Sequence, residues 1–346
     1  MTAYTLHPTP LTTLFFDLET FATSQPEVFV GTPGTILKRR NASNFEFYAH
    51  QYYDALGTKR ERYLGGPVGT GDADAAAAAL KMRIEEVNRV AASIRLLGRE
   101  GFQLVDARTF ATLATLHNHG LFAAGALLVG SHAYGAILNR LGIRASSYLT
   151  EDVDIARAGP LALLKHRKKA LADIIRDSGI DFVEVPQLDR RTPATSYKER
   201  GRSTFQIELL APGRGDEIGS AAVPELRTHA VTLPFLGYLL EESQITTILA
   251  REGCCAVRVP VPERFAVHKL VVSELRRGRD AKVRKDRAQA LVLCAALSDL
   301  HPGALQSAIK DLPRRAVKHV RSALQHLREP LESDHPRAWE ELNAPL

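Results

Sequence analysis

Apolar and polar residues alternate with a period that changes along this chain. After a Pro/Thr-rich start with no assigned element, the stretch from Ile36 to Gly66 predicts β-hairpins: Phe45, Phe47 and Ala49 alternate with Glu46, Tyr48 and His50. Leu56-Gly57-Thr58 supplies a turn, and Lys59 to Leu64 forms the return strand. Gly65, Gly66, Pro67, Gly69 and Gly71 then interrupt the chain. From Asp72 to Leu97 the period lengthens, with Leu80, Ile84, Val87, Ala91 and Ile94 at helical spacing. Phe122 to Val129 is wholly apolar and ends at Gly130, consistent with a helix end or turn feeding a buried strand. Thr150 to Ala156 and Thr204 to Leu210 are further strands, separated by a helix over Leu161 to Ser178 and a strand over Phe182 to Val185. Beyond Pro262 the pattern is helical, over Arg264 to Arg277, Ala281 to Leu300 and Pro302 to Leu327.

The expected class is therefore α/β, with an N-terminal β-hairpin domain (1–70), a connecting helix (71–100), a central α/β domain (101–262) and a helical C-terminal domain (263–346). A chain of 346 residues has room for two or three compact units, and 45% hydrophobic with 24% charged residues excludes disordered and fibrous classes. No apolar run approaches the roughly 20 residues that span a bilayer, and the first residues lack a basic region followed by an apolar core. The expectation is a cytoplasmic protein with no membrane partner. Cys254, Cys255 and Cys294 have neither a disulfide-framework nor a zinc-site spacing and read as buried free thiols. The net charge is +6, and the segment from Arg264 to Arg287, with nine cations against Glu274, Asp280 and Asp286, carries all of that excess. Such a patch suits a polyanionic partner or is an ordinary charged helix surface.

Candidate chemistry sits in the central region. Leu127-Leu128-Val129-Gly130-Ser131 delivers a glycine and a hydroxyl to a turn, where a phosphate could approach the backbone amides. In Glu151-Asp152-Val153-Asp154-Ile155, residues two apart share a strand face, so Asp152 and Asp154 present paired carboxylates while Val153 and Ile155 face the core. Two like charges in a largely buried strand are costly without a cation. Glu208 is the one acid in Phe205-Gln206-Ile207-Glu208-Leu209-Leu210, either a lone edge carboxylate or a third ligand beside the Asp pair. His117 and His119 read as helix-end histidines.

In this order, the apolar strand with Gly-Ser, the Asp-x-Asp and the later acid resemble the DNA polymerase β-like nucleotidyltransferase superfamily. More closely, Gly-Ser-His-Ala-Tyr, Thr-Glu-Asp-Val-Asp-Ile-Ala, Ile207 to Pro212, Val261 to Leu270 and the upstream Tyr63-Leu64-Gly65 look like a poorly characterised bacterial nucleotidyltransferase family, related in motif to nucleotidyltransferase toxins. The likeness covers about Ile36 to Leu297. It implies a polymerase β-like core, with Asp152, Asp154 and Glu208 as catalytic carboxylates and ligands of Mg²⁺ or Mn²⁺. It also implies that Gly130, Ser131 and Lys269 bind a nucleoside triphosphate such as ATP. The spacing from Gly130 to Asp152 is longer than usual for the superfamily, so Asn139 to Ser147 must form an extra loop or helix extension.

Three acceptors fit that chemistry: an RNA 3′ end, such as that of tRNA; a protein hydroxyl, giving AMPylation or UMPylation; or a small molecule. A catalytically silent nucleic-acid-binding module is the reading of a different class. The toxin-like motifs also imply an antitoxin as a protein partner. Aromatics interleaved with Lys38, Arg39, Arg40, Lys59, Arg60 and Arg62 favour RNA, as does the basic segment after Arg264. Arg39, Arg60, Arg277 and Lys285 are accordingly the candidate acceptor-binding cations, with a plain charged surface as the alternative.

Overall fold

The computed structural model describes residues 3–146, 150–163, 169–186, 193–213, 217–276 and 280–343. Near the start, β1 (Thr5–Leu6) is followed by helix α1 (Thr9–Ser24), an element that the Pro- and Thr-rich composition conceals. A proline in the first helical turn removes no bond the helix would otherwise make, and Phe15, Leu18 and Ala22 fall on one buried face. Strands β2 (Thr35–Arg40), β3 (Glu46–Tyr53) and β4 (Lys59–Gly65) form the expected antiparallel hairpins as one three-stranded sheet. Helix α2 (Gly71–Arg99) runs slightly beyond its expected limits and buries Leu80, Ile84, Val87, Ile94 and Leu97.

The central region continues with α3 (Ala107–Asn118), β5 (Ala126–Val129), α4 (Gly130–Leu141), β6 (Ile143–Arg144) and β7 (Asp152–Arg157). After these come α5 (Leu171–Arg176), β8 (Phe182–Glu184), β9 (Ser196–Glu199), β10 (Gln206–Pro212), β11 (Gly219–Val223) and β12 (Thr228–Leu233). One mixed sheet collects them in the order β11-β12-β10-β7-β5, with β9 beside the first half of β10 and β8 outside β9. Strand β10 is parallel to β7 and β12, whereas β5 is antiparallel to β7. The extra length after Asn139 is an α4 extension closed by left-handed Gly142, followed by β6, which pairs with β1. The helix expected from Leu161 is described only over Leu171–Arg176. Leu161 and Ala162 give their amides to Glu225 and the Ala124 carbonyl without helical structure, and residues 164–168 of the expected helix lie outside the described residues.

Helix α6 (Leu236–Leu240) leads into a hairpin absent from the sequence expectation, β13 (Ser243–Ala250) with β14 (Gly253–Pro260). Helices α7 (Pro262–Leu275), α8 (Asp280–Leu300), α9 (Ala304–Lys310), α10 (Arg314–Asp334) and α11 (Pro336–Asn343) complete the described chain. The single helix expected over Pro302 to Leu327 is two, because Pro313 cannot continue α9 and instead starts α10. No single described helix is long and apolar enough to cross a membrane.

The apolar core runs without a break from β5, β7 and β10 through α7, α8 and α10. The sequence boundary at 262 therefore divides two patterns of secondary structure but not two cores. Buried Arg264 reinforces the join: its guanidinium holds Glu241, Glu242 and Asp311 and donates to the Tyr238 carbonyl. A second cluster packs Phe15 and Leu18 of α1 and Ile94 and Leu97 of α2 against Cys254 and Ala256 of β14.

Candidate active site

Strand alternation and register together build the site. Parallel pairing sets Asp154 beside Glu208 and Asp152 beside Gln206, while antiparallel pairing sets Val129 opposite Asp154. Val153, Ile155, Ile207 and Leu209 are buried on one face. Asp152, Asp154 and Glu208 consequently share the other, partly exposed face on adjacent strands about 4.8 Å apart. The chain then turns from β5 into α4 at Gly130, with φ of 68°. A Cβ there would lie 2.1 Å from Asp154 Oδ2, so only glycine admits both the left-handed turn and the carboxylate against it. Ser131 follows in the first turn of α4, at the edge of this acidic face.

Burial, followed by repulsion from Glu208 and Asp152, pushes the Asp154 carboxyl up to about 7, while Lys269 and Lys282 draw it down. Three carboxylates on one strand face are oxygen donors of the kind that a hard divalent cation prefers. Among the described residues, no three His, Cys, Asp or Glu side chains are gathered closely enough to hold an ion as they stand. Their backbone positions are adjacent, Glu208 lying beside Asp154 across β10 and β7 with Asp152 two residues away on the same face. The donor set therefore fits a divalent cation in chemistry and in backbone placement.

Cations from the C-terminal helices face this edge. Lys269, expected to bind nucleotide, is buried, and its Nζ donates to Asp286 Oδ1 at 2.7 Å. Asp286 is buried as well, and its second oxygen accepts from Arg276 Nε at 2.5 Å. Although burial raises the Asp286 carboxyl, Lys269 and Arg276 together hold it below the usual range. Lys285 is half-buried and its pKa is lowered, by burial first and then by Lys269, with Asp154 acting in the opposite sense. Lys282 is exposed, yet its charge also reaches Asp154. The basic segment is thus partly internal, and Arg277 lies outside the described residues.

A cavity of about 1040 Å³ adjoins Ser131 and Thr150 and extends along α4 towards the end of α2 and the β13–β14 turn. His132, which sequence reasoning did not select, lines it and is 9% exposed, with no hydrogen-bond partner for Nε2 among the described residues. Burial lowers its pKa to about 4; Asp106 and Asp152 oppose this shift and Lys285 adds to it. The signal was its place directly after Gly130-Ser131. A smaller cavity of about 380 Å³ lies beside Phe29, His50 and Arg62; neither cavity has Asp152, Asp154 or Glu208 in its wall, and the larger one reaches their edge only at Ser131 and Thr150.

The hairpin cations lie in a different setting. Arg39 pairs with Glu61 and Arg60 with Asp54, so neither offers an uncompensated charge. His117 and His119 do end α3, where their rings bond the Ala256 carbonyl and Asp177. All three cysteines are buried and free, and burial pushes Cys254 and Cys294 up to about 12.

A left-handed glycine turn at Gly130-Ser131 beside three carboxylates on one strand face, with Lys269 and Lys282 acting on Asp154, defines a centre suited to phosphoryl chemistry. Comparison with known families agrees: the family described as Nucleotidyltransferase matches residues 107–313, and the chain belongs to it. It is an enzyme of the nucleotidyltransferase class. No curated protein sequence matches the chain.

Proposed function

We propose that this enzyme moves an NMP from an NTP to an acceptor hydroxyl, with Mg²⁺ or Mn²⁺ held by Asp152, Asp154 and Glu208 on a polymerase β-like core. The observation that carries the reading is the register that sets Asp154 beside Glu208, with Asp152 on the same face and Gly130 beneath. The Gly130 turn and Ser131 hold the outer phosphates. Lys269, steadied by Asp286, offsets their charge, together with Lys282 and Lys285. A bound divalent cation would supply charge neutralisation at the transferred phosphate and leaving group. The acceptor oxygen attacks the α-phosphorus, the bond to the β-phosphate breaks, and pyrophosphate leaves. Glu208 takes the hydroxyl proton.

An RNA 3′ end is the acceptor favoured by a basic chain in which Arg95, Arg99 and Arg251 line the cavity that adjoins Ser131. The test is incubation of the purified protein with each α-³²P-labelled NTP, Mg²⁺ and a whole-cell extract. Label in RNA is the expected result, lost in Asp152→Asn. Label confined to protein or small molecules would move the acceptor assignment, and no Mg²⁺-dependent NTP consumption at all would refute nucleotidyl transfer.

A further inference from the structure

We infer that the cavity beside Ser131, rather than the hairpin sheet, seats the last nucleotides of a single-stranded RNA acceptor that ends in a free 3′ hydroxyl; this rests on the nucleotidyl-transfer reading above. Its inner end is Ser131 with Thr150, whose hydroxyl accepts from the Asp152 amide at 3.3 Å. A strand end seated there would present its terminal hydroxyl at the carboxylate edge.

The wall carries two kinds of unfilled capacity. Buried His132 faces the cavity with Nε2 unpartnered, and leaving a buried polar atom unpaired is costly unless something else bonds it. A sugar hydroxyl or base amine is of the right kind. At the outer rim Arg95, Arg99 and Arg251 are exposed and make no ion pair among the described residues, whereas Arg39, Arg60, Arg83 and Arg140 each hold an acid. The acids on this wall are Asp106, whose oxygens cap α3, and Glu252. Three arginines without partners suit phosphates.

Size and placement favour the acceptor over the donor. About 1040 Å³ lies at the upper end of single-ligand sites and admits more than one nucleotide unit. Arg95, Arg99 and the stretch from Phe102 to Asp106 precede the family-matched residues 107–313. The transfer chemistry is common to the family, so a wall added from outside its shared segment is where an individual acceptor would be read.

The experiment is fluorescence anisotropy of a 5′-labelled RNA hexamer with the full chain and Mg²⁺, across a salt series. In parallel, binding of the α,β-methylene analogues of the four NTPs is measured. The double variant Arg99→Gln with Arg251→Gln changes exposed side chains only. It should weaken the hexamer at least tenfold and reduce the salt slope by about 1.4, at about 0.7 per phosphate contact for single strands. Analogue binding should not change, and Arg39→Gln with Arg60→Gln should leave hexamer binding as in wild type. His132 Nε2 should shift in ¹⁵N spectra when the hexamer is added. Unchanged hexamer affinity in the double variant overturns the assignment, as does weakening of the analogues alone, which would make this the donor's pocket. A wild-type protein that binds analogues but not RNA overturns the inference and leaves nucleotidyl transfer standing; one that binds neither removes both.

Discussion

Replacing Asp154 by asparagine separates the electrostatic cost of the acidic face from its use. The Asp154 carboxyl rises from 3.8 to about 7 on folding, so between those pH values the folded chain holds a proton that the unfolded chain has lost. Stability from this group is therefore full below the unfolded value and disappears as pH climbs through about 7. At about 1.36 kcal/mol per pH unit, the ceiling is about 4 kcal/mol withheld from the cation-free protein at pH 8. With an unfolding entropy of about 2.1 cal/mol/K per residue, that corresponds to about 6 °C in melting temperature. Asp154→Asn removes the ionisation and keeps the shape against Gly130. Without divalent cations it should melt several degrees above wild type at pH 8, and the gap should close towards pH 4. With Mg²⁺ the order should reverse, because wild type gains binding free energy that the variant cannot. Differential scanning fluorimetry over pH, with EDTA or Mg²⁺, measures both effects. A pH-independent gap, or equal Mg²⁺ stabilisation of both proteins, would refute the reasoning.

Asp152→Asn should abolish nucleotide transfer by at least a hundredfold while the protein remains folded, as checked by labelled-NTP assay beside a thermal melt. Gly130→Ala forces a non-glycine residue into the left-handed turn, at about 1–2 kcal/mol, and drives its Cβ into Asp154; loss of Mg²⁺-induced stabilisation is the expected readout. Lys269→Met leaves Asp286 with only Arg276, so urea unfolding should show a loss of about 3 kcal/mol and NTP affinity should fall as well. Asp54→Ala removes the acceptor for the Leu56 and Thr58 amides and for Arg60, so hydrogen exchange should quicken in the β3–β4 turn while transfer is unchanged.

Local rules reach a residue's face and period but not its distant partner, and this division runs through the whole molecule. Asp-x-Asp in β7 and a lone Glu in β10 were legible because strand geometry sends residues two apart to one side and the neighbouring Val and Ile to the other. Helix α2 was legible for the same reason, having one solvated and one buried face, whereas the sparsely buried strands from Thr35 to Gly65 were legible from their alternating side-chain types and turn residues. Where both faces are buried that contrast vanishes. Strands β13 and β14 are almost wholly enclosed, which is how adjacent Cys254 and Cys255 can point into different clusters, and neither strand shows an alternation to read. In α1, threonines and prolines disguised a helix whose short apolar face acquires meaning only against α2 and β14. The strand register that brings Glu208 to Asp154, the burial of Asp286 that fixes Lys269, and the cavity that gathers Arg95, Arg251 and His132 join residues remote in the chain. Such meetings are decided by which apolar faces cover one another, because burial free energy accrues across the whole core and not within any one segment.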